Sequence, residues 1–336
     1  MRVGVNPAKL DFQLEKKYHH RIIIPVFIPN FEGYFKEIFE VYKVCIASAF
    51  KTQHGRSAIT IVDNGSCQEV KDWLKEEYEA GVIETLISHR DNIGKVDAIL
   101  GAARSCREDI ITVSDSDILF RLGWQEAVED VFLNFEKAGS VAPFPITRHM
   151  YYFSTAVAKA AMKNELKFSF EASEYPNDIE DIYHCYEWDF KKSYDGVLPI
   201  VRKNGRQAVM GSGHQIMSIR RDVIFKLPQE PSFIKISNGS EVNWIDKPID
   251  EMGFWRLSTV RPWVAHMGNN LTESNKKEFE LLEVNSSIPD LIELDEIKAN
   301  PSSDFSRRAT LKLFKARFDK REPAPKLKAN VQQDGA

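Results

Sequence analysis

The pattern that most constrains the fold lies in the first 145 residues, where short apolar runs rich in β-branched residues alternate with longer amphipathic stretches. This alternation is typical of β-α units on a largely parallel sheet, so the predicted fold class is α/β. Strands are predicted over 21–28, 58–62, 82–87, 109–113 and 139–144. Helices are predicted over about 33–50, 67–80, 95–106 and 123–137.

The loops that leave the carboxyl ends of these strands are where a ligand site is expected, because they meet at one edge of a parallel sheet. They begin at Pro29, Asp63, His89 and Ser114 and read PNFEG, DNGS, HRDNIGK and SDSD. All four carry acidic or amide side chains that could hold a ribose, a base or a cation.

The sequence VSDSDILF at 113–120 places two carboxylates, Asp115 and Asp117, directly after an apolar strand. Mg²⁺ and Mn²⁺ prefer one or two protein carboxylates together with phosphate oxygens, so this pair fits a divalent metal that holds a diphosphate. The same residues also fit an Asp-rich turn that caps the next element. The pair alone does not decide between these interpretations.

The sequence IVDNGS at 61–66 ends a strand in an aspartate followed by Asn-Gly. Asp63 could accept hydrogen bonds from a base or a ribose hydroxyl, and Gly65 lets the backbone approach a ligand. The same four residues, DNGS, are an equally good turn and helix N-cap sequence.

Carboxylates and a histidine occur together later in the chain. Asp250 and Glu251 begin a predicted helix whose next turn holds bulky apolar side chains, and such surroundings raise the basicity of a carboxylate. His266 ends an apolar run, where a neutral imidazole could complete a metal site with Asp117. A structural role for His266, and cap or surface roles for Asp246 and Asp250, fit the pattern as well.

The sequence segments described above, taken in their order along the chain, resemble those of the inverting nucleotide-sugar glycosyltransferases of family 2. Enzymes of this family have the GT-A fold. The resemblance covers about 21–270 and implies a Rossmann-like, mostly parallel central sheet flanked by helices, followed by a helical C-terminal extension. The matching segments are IIIPVFIPN (22–30), VDNGS (62–66), DNIGKVDAILGAA (91–103), SDSD (114–117), GSGHQIMSIRRDVIFKL (211–227), DEMGFWRL (250–257) and AHMGN (265–269).

The resemblance also implies roles for individual residues. In the family, the first loop and the DNGS aspartate hold the nucleotide base, the NxGK lysine lies near the ribose and diphosphate, and the GSG segment lines the donor sugar and the acceptor. With Gly65 included, the expected nucleotide-binding residues are Pro29, Asn30, Asp63, Gly65, Lys95, Asp115, Ser212, Gly213 and His214. The expected ligands of Mn²⁺ or Mg²⁺ are Asp115, Asp117 and His266.

The family's catalytic base lies six residues before an arginine, and that register selects Asp250, which Arg256 follows. The usual Glu-Asp order is missing, because Ile249 precedes Asp250 and Glu251 follows it. Asp250 and Glu251 are therefore the predicted catalytic residues, and Asp246 stays an alternative.

The predicted domain organisation has a leader, one large domain in two halves and an extension. Within the large domain, the irregular residues 146–207 read as an insertion that covers the sheet edge. The boundaries are 1–20 for the leader, 21–145 for the nucleotide-binding half, 146–270 for the acceptor and catalytic half, and 271–336 for the extension.

The extension is expected to begin with an acidic helical stretch and to end in a basic tail. Residues 305–328 hold nine Lys or Arg and two acids, with Leu311, Phe314 and Phe318 spaced to share one helical face. Such a helix could lie on an anionic membrane leaflet near a lipid-linked acceptor. Docking of this helix on its own domain is the alternative.

The net charge and the apolar content of the sequence exclude one class of function and indicate the cellular compartment. With 45 Lys and Arg against 49 Asp and Glu, the net charge of −4 excludes an overtly basic nucleic-acid binder. The sequence has no secretion signal and no long apolar span, and its four cysteines lack paired spacing. We therefore expect a cytoplasmic protein, with peripheral contact to the inner face of the membrane through the basic tail.

The predicted function is metal-dependent inverting transfer of the hexosyltransferase type, from a nucleoside diphosphate sugar, expected to be a UDP-sugar, to a glycan or lipid-linked acceptor in polysaccharide biosynthesis. Asp250 would take the acceptor's proton. One alternative is a non-catalytic nucleotide- or glycan-binding module of the same fold. The other is a sugar-phosphate nucleotidyltransferase, although PNFEG lacks the basic Gly-rich loop of that class.

Overall fold

The computed structural model describes residues 3–9 and 13–321. The strands are β1 His20–Val26, β2 Ser57–Asn64, β3 Thr85–His89, β4 Ile110–Ser114, β5 Ile118–Phe120, β6 Ala138–Ala142, β7 Lys167–Ala172, β8 Val197–Lys203, β9 Arg206–Met210, β10 Ile216–Arg220, β11 Trp255–Ser258 and β12 Val264–His266. The helices are α1 Ile38–Thr52, α2 Gln68–Glu79, α3 Lys95–Ser105, α4 Trp124–Asn134, α5 Thr155–Met162, α6 Pro176–Cys185, α7 Lys192–Asp195, α8 Arg221–Ile224, α9 Lys247–Glu251, α10 Glu273–Glu280 and α11 Asp304–Phe318.

Ten of these strands form one mixed sheet, in the order β3-β2-β1-β4-β10-β6-β11-β9-β8-β7. Strand β1 pairs in parallel with both β2 and β4, and every residue of β1 is buried. A near-continuous apolar run is what a strand covered by helices on both faces requires. The predicted α/β fold class is confirmed, and each predicted strand and helix of the first 145 residues overlaps an observed one.

The interpretation of 146–207 as an insertion that only covers the sheet edge was wrong. This segment contains α5, and its strand β7 pairs with β8, which in turn pairs with β9, so the two strands extend the sheet itself. The sequence KFSFEA in β7 alternates apolar and polar residues, as a half-exposed edge strand does. Because charged and polar residues alternate with the apolar ones, β7 has no continuous apolar run, and a continuous apolar run is the pattern that predicted the other strands.

The acidic helical stretch predicted after residue 270 is confirmed only over α10. Residues 281–303 contain no helix or strand. Instead this stretch runs along the body of the protein, where the N–H of Asn285 donates to the Lys51 carbonyl at 2.6 Å and the N–H of Asn300 donates to the Met252 carbonyl at 2.7 Å. These bonds to distant backbone groups replace the bonds that a helix would make within itself.

Helix α11 shows that the basic segment docks on its own domain as far as the structure describes it. Phe314 is fully buried and packs edge-on against Phe168 of β7, with ring centroids 4.9 Å apart. Phe318 contacts the same ring at 5.2 Å. The apolar face proposed for a membrane is therefore covered by protein, while residues 322–328 of the predicted tail lie outside the described residues.

Within the described chain, no helix has both the length and the apolar character needed to cross a bilayer. The division of the chain at residues 20 and 270 stays a prediction.

Candidate active site

Asp115 and Asp117, which together form a DxD motif, lie where the sequence places them. They are in the turn between β4 and β5, called here the DxD turn, at the carboxyl edge of the parallel strands. Strand β5 pairs antiparallel with β12, and this register sets Ile118 opposite His266. As a result, His266 Nε2 lies 3.5 Å from Asp117 Oδ2. The pairing of two short strands thus brings together two of the three predicted metal ligands.

The charge state of Asp117 reflects its surroundings. Burial raises the pKa of Asp117 to about 6, with the charge of Asp115 adding to this rise and the charge of His266 opposing it. Ionisation of a buried carboxylate costs free energy, and a cation close to it offsets this cost.

Several buried polar atoms around this turn lack any hydrogen-bond partner among the described residues. They belong to different elements: the DxD turn, strand β12, the loop before β10 and the residue that follows α6. Buried polar groups are rarely left unpaired in proteins, so a group of them in one place indicates a site for a ligand or an ion. These atoms are Asp117 Oδ1, His266 Nδ1, Gln215 Oε1 and the Tyr186 hydroxyl oxygen.

Lys95, the first residue of α3, bridges two carboxylates. Its Nζ lies 2.5 Å from Asp115 Oδ1 and 3.2 Å from Glu241 Oε1. Burial lowers the pKa of Lys95, but the two carboxylates outweigh it and raise that pKa above its usual value. Conversely, the charge of Lys95 and a hydrogen bond from Ser240 hold the pKa of Glu241 below its usual range against the effect of burial.

Glu241 is the functional candidate that sequence reasoning missed. It precedes a π-helical turn, Val242–Asp246, and nothing in NGSEVNW distinguishes its carboxylate from a surface residue. Its link to Lys95 joins distant parts of the chain, and only the folded sheet brings them together.

The predicted base-binding loops lie at the same edge, and their polar groups are partly occupied by the protein. Asp63 Oδ1 accepts the Ser66 N–H at 2.8 Å, and Asp63 Oδ2 accepts the Ser88 hydroxyl at 2.7 Å. Both contacts are expected if DNGS forms a turn. The base-binding role of Asp63 stays a prediction. Pro29 is half-buried and Asn30 is exposed in the loop after β1.

Gly65 lies where two of these loops meet. Its φ is +92°, and a Cβ at this position would come within 3.0 Å of the Asp91 carbonyl carbon and 3.1 Å of the Asn92 nitrogen. The glycine is therefore needed for the close approach of the DNGS loop to the DNIGK loop.

The GSG segment packs against the backbone and ring of His149. Gly211 has φ +110°, and a Cβ there would lie 2.5 Å from the His149 carbonyl carbon, while a Cβ on Gly213 would lie 2.6 Å from His149 Cε1. The carbonyl of Ser212 accepts a hydrogen bond from Arg256 Nη2 at 2.7 Å. These contacts fix the path of the chain up to His214.

Asp246 anchors this part of the site as a buried anion. Arg256 Nη2 lies 2.5 Å from Asp246 Oδ1, and both side chains are fully buried. Asp246 Oδ2 accepts the Tyr152 hydroxyl at 2.8 Å and lies 2.7 Å from His214 Nδ1. Burial raises the pKa of Asp246, but Arg256 and His214 outweigh this and lower it, so Asp246 stays ionised.

The two predicted catalytic carboxylates, Asp250 and Glu251, are bound by other helices. Asp250 accepts the Thr155 hydroxyl and, at 2.9 Å, the Ala156 N–H, so it caps the N-terminus of α5. Burial raises the pKa of Asp250, and these two hydrogen bonds oppose that rise. Glu251 Oε1 lies 2.5 Å from Arg307 Nη2 of α11.

At the opposite end of β1, a second buried cluster has spacing that could suit a metal. His19 Nε2, His20 Nδ1 and His54 Nε2 lie 3.0, 2.8 and 2.9 Å from Glu129 Oε1. However, His54 Nδ1 accepts the Arg56 N–H at 3.1 Å, so the proton of a neutral His54 is on Nε2. That nitrogen donates to Glu129, and we interpret the cluster as a buried carboxylate bound by three imidazoles.

Comparison with known proteins shows that residues 22–195 match a protein family described as glycosyl transferase family 2. One similar solved structure is a mannosyltransferase from Pyrobaculum calidifontis in complex with GDP-Man and Mn²⁺. It is 14% identical, with a TM-score of 0.41, over 76% of this chain and 60% of that chain. The aligned region therefore spans less than two thirds of the mannosyltransferase, and no curated protein matches the chain.

Proposed function

Because the chain belongs to glycosyl transferase family 2, we propose that it is a metal-dependent inverting glycosyltransferase of the hexosyltransferase type. Its donor is a nucleoside diphosphate sugar, expected to be a UDP-sugar, and its acceptor is a glycan or a lipid-linked sugar. The observation that carries this proposal is the group of unpaired buried polar atoms around Asp117 and His266. A bound diphosphate and cation would satisfy them.

The residues at the DxD turn fit a divalent cation. Asp117 Oδ1 is buried without a partner in the described chain, and the carboxylate of Asp115 and the imidazole of His266 are close to it. Carboxylate and phosphate oxygens suit Mn²⁺ or Mg²⁺, and His266 would add one nitrogen ligand. When bound, the ion would offset the negative charge that develops on the leaving diphosphate.

Lys95 supplies a second positive group for the same phosphates. It begins α3, so its ammonium adds to the positive end of the helix dipole, which favours anions. Its carboxylate partners, Asp115 and Glu241, hold the ammonium at the edge of the sheet. We infer that Lys95 contacts the donor's diphosphate.

An acceptor hydroxyl is a poor nucleophile at neutral pH, so a positioned carboxylate must take its proton. Contacts favour Glu241 for this role, because it shares Lys95 with the DxD carboxylate Asp115. Asp250 is occupied as the cap of α5. Glu241 is therefore our first candidate for the base, and the sequence-predicted Asp250 is the alternative.

A single displacement by the acceptor inverts the anomeric centre. It needs one base and no nucleophilic carboxylate, in contrast to the pair used by retaining glycosidases. The proposal therefore requires only one carboxylate base beside the DxD turn.

A donor screen tests this function directly. Purified protein is incubated with a panel of UDP- and GDP-sugars, with Mn²⁺ or with EDTA, and release of the nucleoside diphosphate is measured. The proposal expects Mn²⁺-dependent release from at least one donor. Nucleotide binding without release from any donor, with acceptors present, would instead favour a non-catalytic binding module.

A further inference from the structure

The segment 146–207 contributes one side chain to the DxD site, and that side chain is Tyr186. Tyr186 directly follows α6, and its ring lies against the ring of His266, with centroids 4.9 Å apart and planes at 59°. On another side the ring contacts Trp188, again with centroids 4.9 Å apart. The thiol of Cys185 donates to the His266 carbonyl at 3.0 Å, which holds the end of α6 against β12.

The hydroxyl of Tyr186 is buried beside the two DxD carboxylates without a hydrogen-bond partner in the described chain. A tyrosine hydroxyl is protonated at neutral pH. The unpaired hydroxyl of Tyr186 is therefore an unused hydrogen-bond donor. An unpaired buried donor costs free energy, which a suitable acceptor recovers on binding.

We propose that the Tyr186 hydroxyl donates a hydrogen bond to a diphosphate oxygen of the sugar donor, so that this phenol is a binding residue for the leaving group. This inference rests on the proposed function. The diphosphate fits because it is an anionic acceptor at the turn that Asp115 and Asp117 form. A metal ion does not fit this hydroxyl, since a protonated phenol is a poor ligand.

This role accounts for the position of α6. The helix packs against β12, the strand that carries His266, and so it fixes the phenol and the imidazole relative to each other. The DxD turn, His266 and Tyr186 thus come from three separate parts of the chain.

The test compares Tyr186→Phe with wild type by calorimetric titration of UDP and GDP in the presence of Mn²⁺. Phenylalanine keeps the ring contacts with His266 and Trp188 and removes only the hydroxyl. We expect the affinity for the diphosphate to fall about tenfold, in line with loss of a hydrogen bond to a charged group. Because the deleted hydroxyl is unpaired in the free protein, the Tm is expected to stay equal or rise.

Tyr183→Phe is the matched control, since Tyr183 is a buried tyrosine of α6 that packs against Trp188, Phe190 and Arg148, away from the DxD turn. Its diphosphate affinity should equal that of wild type. Mn²⁺ binding without nucleotide, followed by electron paramagnetic resonance, should be the same in wild type and Tyr186→Phe.

Two results would overturn the role of Tyr186. One is an unchanged diphosphate affinity in Tyr186→Phe, and the other is a loss of Mn²⁺ binding in the absence of nucleotide, which would mean that the phenol acts through the metal ligands. If wild type itself binds neither UDP nor GDP, the proposed function fails instead.

Discussion

Glu241 Oε1 lies 3.2 Å from Lys95 Nζ, and the same ammonium lies 2.5 Å from Asp115 Oδ1. One cation therefore links a carboxylate of the DxD turn to a carboxylate that precedes the π-helical turn Val242–Asp246. This link is the reason that Glu241, and not only Asp250, is a candidate for the base.

Replacement Glu241→Gln should lower kcat by about 10²–10⁴-fold, because a glutamine cannot take the acceptor's proton. The affinity for the nucleoside diphosphate with Mn²⁺ should change little, since Lys95 and the DxD carboxylates are retained. Steady-state kinetics of sugar transfer, together with calorimetry, separate these two effects.

The comparison variant is Asp250→Asn, which removes the capping charge at the N-terminus of α5. Asparagine keeps one acceptor oxygen, and the lost charge at a helix N-terminus is worth about 0.3–1 kcal/mol, so the Tm should fall slightly while the folded enzyme keeps its kcat. If Asp250→Asn abolishes transfer without loss of stability, and Glu241→Gln is active, Asp250 is the base.

The buried pair Asp246–Arg256 should be essential for stability. Replacement Arg256→Met leaves Asp246 as an uncompensated buried anion, and loss of one partner of such a pair costs about 3–5 kcal/mol. Urea unfolding measures this cost. The exposed pair Lys276–Glu273 is the control, because Lys276→Met there should leave the free energy of unfolding almost unchanged. Equal effects of the two replacements would contradict the anchoring role of Asp246.

The glycine at 211 should tolerate no side chain. Gly211→Ala places a Cβ 2.5 Å from the His149 carbonyl carbon in a left-handed backbone conformation. Gly205 also has positive φ, at +80°, but a Cβ there meets nothing within 4 Å. Gly205→Ala should therefore cost only the backbone strain, about 1–2 kcal/mol, and Gly211→Ala should cost clearly more. Similar unfolding free energies for the two variants would show that the GSG segment can move away from His149.

Stability should fall as the pH is lowered through the ordinary pKa range of histidine. Burial lowers the pKa of His20, against the opposing effect of Glu129, so the native protein takes up this proton at a lower pH than the unfolded chain. Below about pH 6.5 the unfolded state therefore binds more protons, and the free energy of unfolding decreases. Thermal unfolding between pH 7.5 and 5.5 measures this slope.

His20→Gln should flatten the dependence of Tm on pH, because the titrating group is removed while an amide remains near Glu129 and Thr112. The control is His184→Gln, since His184 is exposed on α6. The account of the buried cluster fails if His20→Gln keeps the wild-type slope.

The β-α half of the fold could be predicted because hydrophobic periodicity is a local signal. The strand before Asp115 and the helix after Lys95 are visible in single segments of sequence, and so is the edge at which they meet. Contacts between distant segments give no such local signal in the sequence. The link from Lys95 to Glu241, the packing of Tyr186 on His266 and the course of residues 281–303 all depend on tertiary structure.

The capping role of Asp250 is a second example of a contact that local sequence patterns do not reveal. Its spacing to Arg256 fits the family pattern, whereas its hydrogen-bond partners, Thr155 and Ala156, come from a segment in which the sequence offers no motif. Spacing along the chain identifies a candidate carboxylate, and only its partners show how it is used.

The most direct test of the central claim is calorimetric titration of a nucleoside diphosphate, UDP or GDP, into wild type and Asp117→Asn with and without Mn²⁺. Asp72→Asn, a change at an exposed aspartate of α2, serves as the control. The account predicts that Mn²⁺ strengthens binding by at least about tenfold in wild type and in the control. In Asp117→Asn, Mn²⁺ should have no effect. Equal strengthening by Mn²⁺ in Asp117→Asn, or no binding of UDP or GDP by wild type under any condition, would contradict a metal-assisted nucleotide-sugar site at the DxD turn.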